Sequence, residues 1–254
     1  MNGKMLEGRR ALVTGSTQGI GLAVAEALAA QGCSLVLHGL ARPGEAEAAQ
    51  AAVRAAGAPD VQFFGHDLAD AAEVERLMQS VLQDGPVDIL VNNAGIQHTA
   101  PLASMPRAKW DAILAVNLSA AFDTMRLALP RMAERGFGRV VNIASAHGLV
   151  ASVQKAPYVA AKFGLVGMSR VAALEYASAG SRAGGGVTVN CVCPGWTETA
   201  IIQPQIDARA QALQVPREDA VRDLLREKQP SLRTSRRGRS RASWCGSASR
   251  RRTT

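Results

Sequence analysis

Three side chains between residues 145 and 162 have the types and the spacing to move a proton. Tyr158 and Lys162 stand four residues apart in a predicted helix, so they share one face, and a nearby ammonium lowers the pKa of a phenol from about 10. Ser145 ends the preceding predicted strand, where its hydroxyl would donate a hydrogen bond to the same substrate oxygen. A Tyr-x-x-x-Lys pair is also common on helix surfaces, so the spacing alone leaves an ordinary exposed pair open.

A glycine-rich turn, TGSTQGIG, follows the first predicted strand. Gly15, Gly19 and Gly21 would let the backbone turn tightly and let a pyrophosphate approach main-chain N–H groups at the start of a helix. The same pattern occurs in turns that bind nothing, but its place between a strand and a helix favours a dinucleotide. With a dinucleotide beside Tyr158, the side chains could support hydride transfer between an alcohol and a nicotinamide ring.

Strands and helices alternate along the chain in a way that predicts a parallel sheet. Continuous apolar runs such as RALVTG, SLVLHG and VQFFGHD are typical of strands buried on both faces, and apolar residues recur at helical spacing between them. Further helices are predicted at 71–84, about 109–135 and 158–177, with strands at 87–92, 138–144 and 187–192. This order predicts an α/β fold, a Rossmann-like doubly wound parallel sheet that binds ligands beyond the carboxyl ends of its strands.

Three further polar sites fall at strand ends or inside a predicted helix. Asp67 follows the third strand and could accept a hydrogen bond from an adenine amino group, although an Asp there is also a common cap. The NNAG segment, residues 92–95, suits a turn and could also offer amide contacts to a ribose. Asn117 lies inside the long predicted helix, a poor place for Asn unless its side chain has a particular partner.

Composition bounds the class of protein. A chain of 254 residues with 47% hydrophobic content can form one α/β domain with a buried core. Its longest apolar runs are strand-length, well short of the about 20 residues of a membrane span, and no cleavable leader precedes the first strand, so we expect a cytoplasmic protein without a membrane partner. No C-x-x-C pair occurs and no metal site is predicted; the cysteines are interpreted as buried small hydrophobes. They are Cys33, Cys191, Cys193 and Cys245.

The net charge of +8 is concentrated at the C-terminal end. Residues 231–254 hold eight arginines and no acid, and the rest of the chain has equal numbers of basic and acidic side chains. We expect one domain over residues 1–230, with an amphipathic helical cover at about 198–229 and a disordered Arg/Ser-rich tail at 231–254. Binding of the tail to nucleic acid or to an anionic membrane is an alternative hypothesis, but the arginines form no periodic basic face.

The motifs, in this order and spacing, resemble the short-chain dehydrogenase/reductase family from about Leu6 to Thr199. The resemblance rests on the glycine-rich turn, NNAG, the serine thirteen residues before Tyr-x-x-x-Lys, and the later Pro-Gly. It implies that Ser145, Tyr158 and Lys162 are catalytic and that Asn117 completes a proton relay through water. It also implies a set of cofactor-binding residues. They are Gly15, Thr17, Gln18, Gly19, Ile20, Gly21, Asp67, Leu68, Asn93, Gly95, Pro194, Gly195, Trp196 and Thr197.

Longer segments, among them NNAGIQHTA, GFGRVVNIASAHGLVAS and LLREKQPSL, resemble a narrower group of the family that oxidises D-3-hydroxybutyrate to acetoacetate with NAD. In that group the substrate carboxylate is held by residues that match Gln97, His147, Lys155 and Gln205. An enclosed carboxylate does need an ammonium and several hydrogen-bond donors to offset its lost hydration. Taken singly, His147 could be a packed histidine and Lys155 a solvated lysine.

The choice of nicotinamide cofactor is weakly marked in the sequence. NAD-binding chains often carry an acid at the end of the second strand, and here that place holds His38, Gly39 and Leu40. Arg42 could meet the 2′-phosphate of NADP, whereas Gln18 is not the basic residue that many NADP-dependent relatives carry in the glycine-rich turn. The resemblance implies NAD, and an NADP-dependent 3-oxoacyl reductase is the alternative within the family.

The resemblance ends after LLREKQPSL. Members of the family continue with a helix, a seventh strand and a Gly-Gly-containing end, which complete the sheet and much of a tetramer contact. The residues that follow here have almost no apolar pattern and cannot form a strand buried on both faces. We therefore expect a sheet without the usual last strand, an uncovered edge at 187–192, a weak or absent homotetramer, poor solubility and low activity. An inactive truncated product is a further alternative. A shifted reading frame near residue 233 would explain the change.

Overall fold

A parallel six-stranded sheet between layers of helices forms the centre of the protein. The computed structural model describes residues 4–180, 185–197 and 202–228. The strands are Arg10–Val13 (β1), Ser34–His38 (β2), Val61–Phe64 (β3), Ile89–Asn92 (β4), Phe137–Ile143 (β5) and Gly186–Val192 (β6). The helices are Gly19–Ala30 (α1), Glu45–Ala55 (α2), Ala71–Asp84 (α3), Arg107–Leu114 (α4), Ala120–Glu134 (α5), Ala156–Glu175 (α6), Gln203–Leu213 (α7) and Arg217–Lys228 (α8). The order β3-β2-β1-β4-β5-β6 confirms the predicted doubly wound sheet.

Both faces of the sheet are covered because successive strand residues point to opposite sides. On one side, residues such as Val13 and Leu35 pack against α1 and α2. On the other side, residues such as Leu12 and Val36 pack against α3 and α5. The continuous apolar runs of the sequence reflect this two-sided burial.

The order in which strands are added to the sheet reverses at β1, which pairs with β2 on one side and with β4 on the other. A switch of this kind leaves a crevice at the carboxyl ends of the two strands. The glycine-rich turn after β1 and the NNAG segment after β4 meet there. Thr14 Oγ1 accepts hydrogen bonds from the backbone N–H groups of Asn93 (3.0 Å) and Ala94 (3.1 Å), so the two segments are fixed to each other.

The long helix predicted at about 109–135 is interrupted. Helix α4 ends at Leu114 and α5 begins at Ala120, with a π turn over Ala115–Ser119 between them. A π turn holds one residue more than an α turn, and such turns are frequent at functional sites. Nothing in the apolar spacing of the sequence indicated the extra residue.

The combined run Arg107–Glu134 is long and apolar enough to cross a membrane by length and composition, which the sequence analysis did not anticipate. Its buried residues, however, include Met125, Leu129 and Met132, which pack on the sheet with α3. Core helices of this kind pass the same test.

The predicted cover is helical in the residues described. Helices α7 and α8 pack on each other, and Ile206, Leu224 and Leu225 join Trp196 in an apolar cluster separate from those of the sheet. The cluster therefore ties the two helices to the segment after β6. Residues 198–201 and 229 of the cover and the whole tail, with its predicted disorder and shifted frame, lie outside the described residues.

Strand β6 is the outermost strand within the described ranges. It pairs with β5 over its full length, and β5 is its one partner in the described sheet. Val187 and Val189 are buried against the helices, whereas Asn190 on the opposite face is exposed. The three cysteines described, at positions 33, 191 and 193, are all free thiols.

Candidate active site

A cavity of about 1030 Å³ opens at the carboxyl ends of β1, β4 and β5. Small-molecule sites usually occupy about 300–1,000 Å³, so this cavity has room for a large ligand such as a dinucleotide. Of the predicted site residues, all except Gly21 and Asn117 line it. The lining members are Gly15, Thr17, Gln18, Gly19, Ile20, Asp67, Leu68, Asn93, Gly95, Gln97, Ser145, His147, Lys155, Tyr158, Lys162, Pro194, Gly195, Trp196, Thr197 and Gln205.

Ser145 and Tyr158 meet in the wall of this cavity. Ser145 follows β5, and its Oγ accepts a hydrogen bond from the His147 N–H at 3.1 Å. The Ser145 hydroxyl also hydrogen-bonds the phenol of Tyr158, which lies in the first turn of α6. The ring of His147 approaches Tyr158 edge-on, with 6.4 Å between the ring centroids. Both hydroxyl groups are therefore available to one substrate oxygen.

Lys162 lies one turn further along α6 and is only 4% exposed. Its Nζ donates to the Ile143 carbonyl at 2.8 Å and lies 5.7 Å from the centroid of the Tyr158 ring. Because the ammonium is removed from water, burial lowers the pKa of Lys162 to about 8.

The pKa of Tyr158 does not follow the sequence-based expectation. Burial raises it above the ordinary value of 10.0, and the hydrogen bond with Ser145 opposes this shift without reversing it. The expected lowering by the Lys162 ammonium is thus wrong for the protein alone, since the phenolate loses more hydration than its neighbours replace. Lys162 also directs its ammonium to the Ile143 carbonyl. The neutral phenol is the resting form, and it can donate a proton.

Asn117 occupies the middle of the π turn and is buried. Its Oδ1 accepts a hydrogen bond from the Ile96 N–H at 2.8 Å, and its Nδ2 donates to the Ile96 carbonyl at 2.9 Å. The side chain therefore holds the loop that carries Gln97. A Cβ on Gly95 would lie 3.3 Å from Asn117 Oδ1 and 3.8 Å from Lys162 Nζ, so both groups are near Gly95. The relay through water stays a prediction.

The glycine-rich turn fits a pyrophosphate. Gly15 has a φ of +61°, and a Cβ there would lie 2.8 Å from the Cα of Ala94. A Cβ on Gly21 would meet the Gly15 carbonyl oxygen at 2.2 Å, so Gly21 packs α1 against the turn instead of lining the cavity. Within the described residues Gln18, at the N-cap of α1, makes no side-chain capping hydrogen bond. The N–H groups of the first turn remain available to an anion.

Lys155 stands at the N-terminus of α6 and is only 5% exposed, which excludes a solvated lysine. Its Nζ lies 5.6 Å from the centroid of a Trp196 ring. Gln97, His147 and Gln205 line the same cavity. The four side chains predicted to hold a carboxylate therefore share one cavity with Tyr158.

The turn before Lys155 was not found from the sequence. Gln154 has a φ of +61°, in the left-handed region that residues other than glycine seldom adopt. Its carbonyl accepts a hydrogen bond from the Ala100 N–H at 3.0 Å. This contact joins the loop after NNAG to the start of α6.

The other end of the cavity lies at the ends of β2 and β3, where His38, Leu40 and His66 line it. Arg42, the candidate for a 2′-phosphate, is not part of the lining. Its side chain is 83% exposed, and its Nε lies 2.9 Å from a carboxylate oxygen of Glu45.

A chain of buried side-chain hydrogen bonds connects the strands and helices that carry Ser145 and Tyr158. Thr124 donates to Asn92 Oδ1 (2.7 Å), Asn92 donates to Asn142 Oδ1 (2.8 Å), and Asn142 donates to Ser169 Oγ (2.7 Å). The chain joins β4 and β5 to α5 and to α6, which carries Tyr158. Sequence reasoning treated Asn92 as part of a turn and missed the others; polar residues in two apolar strands were the available signal.

Taken together, a doubly wound sheet, a glycine-rich turn after β1 and a Ser–Tyr–Lys set beyond β5 define an oxidoreductase that binds a dinucleotide. The family model described as short chain dehydrogenase matches residues 9–210. The chain belongs to the short-chain dehydrogenase family, whose members use nicotinamide cofactors.

Within this family, the chain is similar to two named relatives and to one solved structure. It is 52% identical over 229 residues to the D-beta-hydroxybutyrate dehydrogenase of Cupriavidus necator, with 89% of this chain and 85% of the relative covered. It is 41% identical over 224 residues to the D-beta-hydroxybutyrate dehydrogenase of Rhizobium meliloti, with 88% and 84% covered. The crystal structure of an Agrobacterium tumefaciens 3-oxoacyl (acyl-carrier-protein) reductase with NADP bound superposes with a TM-score of 0.83 at 31% identity, covering 95% of this chain and 88% of that one.

Proposed function

We propose that the protein interconverts D-3-hydroxybutyrate and acetoacetate, with NAD as its cofactor. The observation that carries the proposal is the buried Lys155, which lines the same cavity as Tyr158. An ammonium in that place suits a small substrate with a carboxylate. The similarity to two D-beta-hydroxybutyrate dehydrogenases supports the same substrate.

The roles of the residues follow from their positions. The glycine-rich turn would hold NAD, which would supply the acceptor for a hydride from the carbinol carbon of the substrate. Tyr158, as the phenolate, takes the hydroxyl proton, while Ser145 donates a hydrogen bond to the oxygen and Lys155 holds the carboxylate. In the reverse direction the phenol of Tyr158 returns the proton to the carbonyl oxygen. Because its pKa is raised, Tyr158 is protonated at neutral pH, which is the form that the reduction requires.

NAD is preferred over NADP in this proposal because of Arg42. The guanidinium pairs with Glu45 and does not line the cavity, so it would have to leave that carboxylate to meet a 2′-phosphate. The competing candidate is an NADP-dependent 3-oxoacyl reductase, since the solved relative with that title has NADP bound. Side-by-side assays of acetoacetate with NADH and of a 3-oxoacyl thioester with NADPH separate the two.

The direct test of the catalytic assignment is Tyr158→Phe, with Tyr176→Phe as the matched control. Loss of the general acid should lower kcat for acetoacetate reduction by about 10²–10⁴-fold, with NADH affinity unchanged. Tyr176 lies at the other end of α6, outside the cavity, and its variant should retain activity. Turnover near that of the wild type in Tyr158→Phe would refute the assignment.

The carboxylate site is tested by Lys155→Ala, with the exposed Lys109→Ala as its control. A lost charge-assisted hydrogen bond should lower kcat/KM for D-3-hydroxybutyrate by about ten- to hundredfold. An uncharged secondary alcohol should be affected far less, because it lacks the group that Lys155 holds. Equal losses on both substrates would show that Lys155 only packs.

A homo-oligomer is also part of the proposal. Phe163 and Leu174 lie on one face of α6, 45% and 79% exposed, and Phe122 on α5 is 50% exposed. We expect a second copy of the chain to cover these side chains, and sedimentation at micromolar concentration measures the resulting assembly.

A further inference from the structure

His38 has an unusual position for a histidine in this fold. It is the last residue of β2, lines the cavity and is only 2% exposed. An acidic residue in this part of a Rossmann-type fold commonly accepts a hydrogen bond from the ribose of the dinucleotide. Here the ring is turned inward, to partners in the protein.

Both ring nitrogens of His38 have a partner. Nε2 lies 2.8 Å from the carbonyl oxygen of His66, and Nδ1 lies 3.4 Å from the backbone nitrogen of Gly15. A carbonyl can only accept, so Nε2 carries the hydrogen and Nδ1 accepts from the Gly15 N–H. The contacts therefore define one tautomer of a neutral imidazole.

The backbone of His38 also forms hydrogen bonds with the glycine-rich turn. The Ser16 N–H donates to the His38 carbonyl at 2.8 Å, and the His38 N–H donates to Ser16 Oγ at 2.9 Å. Side chain and backbone together join the glycine-rich turn to the ends of β2 and β3. This turn is the one that fits a pyrophosphate.

We propose that His38 is a positioning residue for the nicotinamide dinucleotide, which it serves by fixing the Gly15 amide and so the shape of the glycine-rich turn. The role concerns the cofactor that the family uses, and it does not depend on which substrate is reduced. Because both ring nitrogens are engaged, the imidazole itself does not read the ribose.

Protonation of Nδ1 would place a second hydrogen against the Gly15 N–H, and the turn would have to move. Burial disfavours the imidazolium and lowers the pKa of His38 below its ordinary value of 6.5. The titratable groups facing it are His66 and Asp67, both in the loop after β3. His66 pairs in turn with Glu73, and Arg76 pairs with the same carboxylate. We expect cofactor affinity to fall only below pH 6.5, as His38 takes up its proton.

Two substitutions distinguish the roles of the two ring nitrogens of His38. The Oδ1 of an asparagine is as many bonds from Cα as Nδ1 of histidine, and the Nε2 of a glutamine is as many bonds from Cα as Nε2. His38→Asn thus keeps an acceptor for Gly15, and His38→Gln keeps a donor for His66. Neither amide titrates, so neither variant should carry the pH dependence.

The experiment measures NADH affinity of the full chain by fluorescence titration at about pH 8 and at the lowest pH at which circular dichroism shows the chain to be folded, for the wild type, both variants and His66→Asn. His38→Asn should bind like the wild type at the higher pH and keep its affinity at the lower one, where the wild type weakens. His38→Gln should bind about three- to tenfold more weakly at both pH values, the effect of one lost hydrogen bond. His66→Asn should weaken at low pH like the wild type.

Several outcomes overturn the proposal. Equal affinity in His38→Asn and His38→Gln would mean that the ring only fills space. A low-pH loss that persists in His38→Asn but disappears in His66→Asn would assign the titration to His66. If neither His38 variant folds, judged by circular dichroism and thermal unfolding without cofactor, the wild type and His66→Asn still decide. Constant wild-type affinity between the two pH values then overturns the role.

Discussion

At the scale of single residues, the chemistry of the site depends on charges that are held away from water. Lys155, the N-cap of α6, and Lys162, two turns further along the chain, are both at most 5% exposed and stand on either side of Tyr158 in sequence. Burial lowers the pKa of Lys162 and raises that of Tyr158. Each shift favours the uncharged form of the side chain. In the ligand-free site the charged forms are therefore poorly solvated, and a bound anion or substrate oxygen can supply some of the missing interactions.

Lys162 should make stability depend on pH in a predictable direction. Its pKa is about 8 when folded, against an ordinary value of 10.5, so between these values the unfolded chain binds more protons. Stability from the wild-type lysine therefore rises with pH across this window, and below about pH 8 the buried charge weakens the fold by on the order of a few kcal/mol. Urea unfolding of wild type and Lys162→Met at about pH 7.5 and about pH 10 measures the difference, in which other titrations cancel. A difference that does not change with pH would contradict the lowered pKa.

At the scale of helices and strands, the bounds of an element were predicted correctly where the apolar spacing and a capping residue indicate the same ends. Helix α3 spans the residues predicted for it, because Asp70 caps it (Oδ1 accepts from the Ala72 N–H at 2.8 Å) and its apolar residues recur at helical spacing. The π turn was missed, since a single added residue leaves both flanking patterns intact. The change in element is visible in the backbone of Ala115–Ser119 and in the contacts of Asn117.

The site was predictable to a similar extent. Side chains with a motif, such as Ser145 and Tyr158, lie where their spacing placed them. The role of His38 could not be inferred, because the sequence shows only that an acid is missing there. Asn142 was equally hidden, since its side-chain partners Asn92, Met125 and Ser169 lie on three other elements and none is near it in the chain.

The hydrogen-bonded chain through Asn142 predicts a large loss of stability in Asn142→Ala. The residue is fully buried, and its removal leaves the Asn92 amide and the Ser169 hydroxyl each without one partner. We expect the free energy of unfolding to fall by about 2–4 kcal/mol in chemical denaturation. Asn190→Ala, at an exposed position on β6, should change it by less than about 0.5 kcal/mol. Similar small effects in both variants would show that the chain contributes little.

At the scale of the whole molecule, the described sheet ends at β6. A strand with backbone groups unpaired along one side is a template for pairing with other chains. The cover helices α7 and α8 have their own apolar cluster, which meets the rest of the protein through Trp196. The side of the molecule that carries β6 is therefore less enclosed than the centre of the sheet, within the residues described.

Asn190→Lys should slow self-association of the protein. A lysine at an exposed position of an edge strand opposes strand-to-strand pairing through its charge and hydration. Light scattering at a fixed protein concentration should rise more slowly than for the wild type, with activity retained. Gln79→Lys adds the same charge to the exposed surface of α3 and is the control. If both variants slow association equally, net charge rather than the edge is responsible.

The π turn also constrains how the chain length can vary. Removing one residue from Ala115–Ser119 would restore a regular α-helix, but it would rotate α4 relative to α5 by about 100°, the angle per residue of an α-helix. Asn117 would then face away from Ile96, and the loop that carries Gln97 would lose both of its amide contacts. In an alignment of relatives, a gap within these five residues should accordingly mark proteins in which another side chain supports that loop. In such proteins we expect the part of the cavity beside Gln97 to have a different shape.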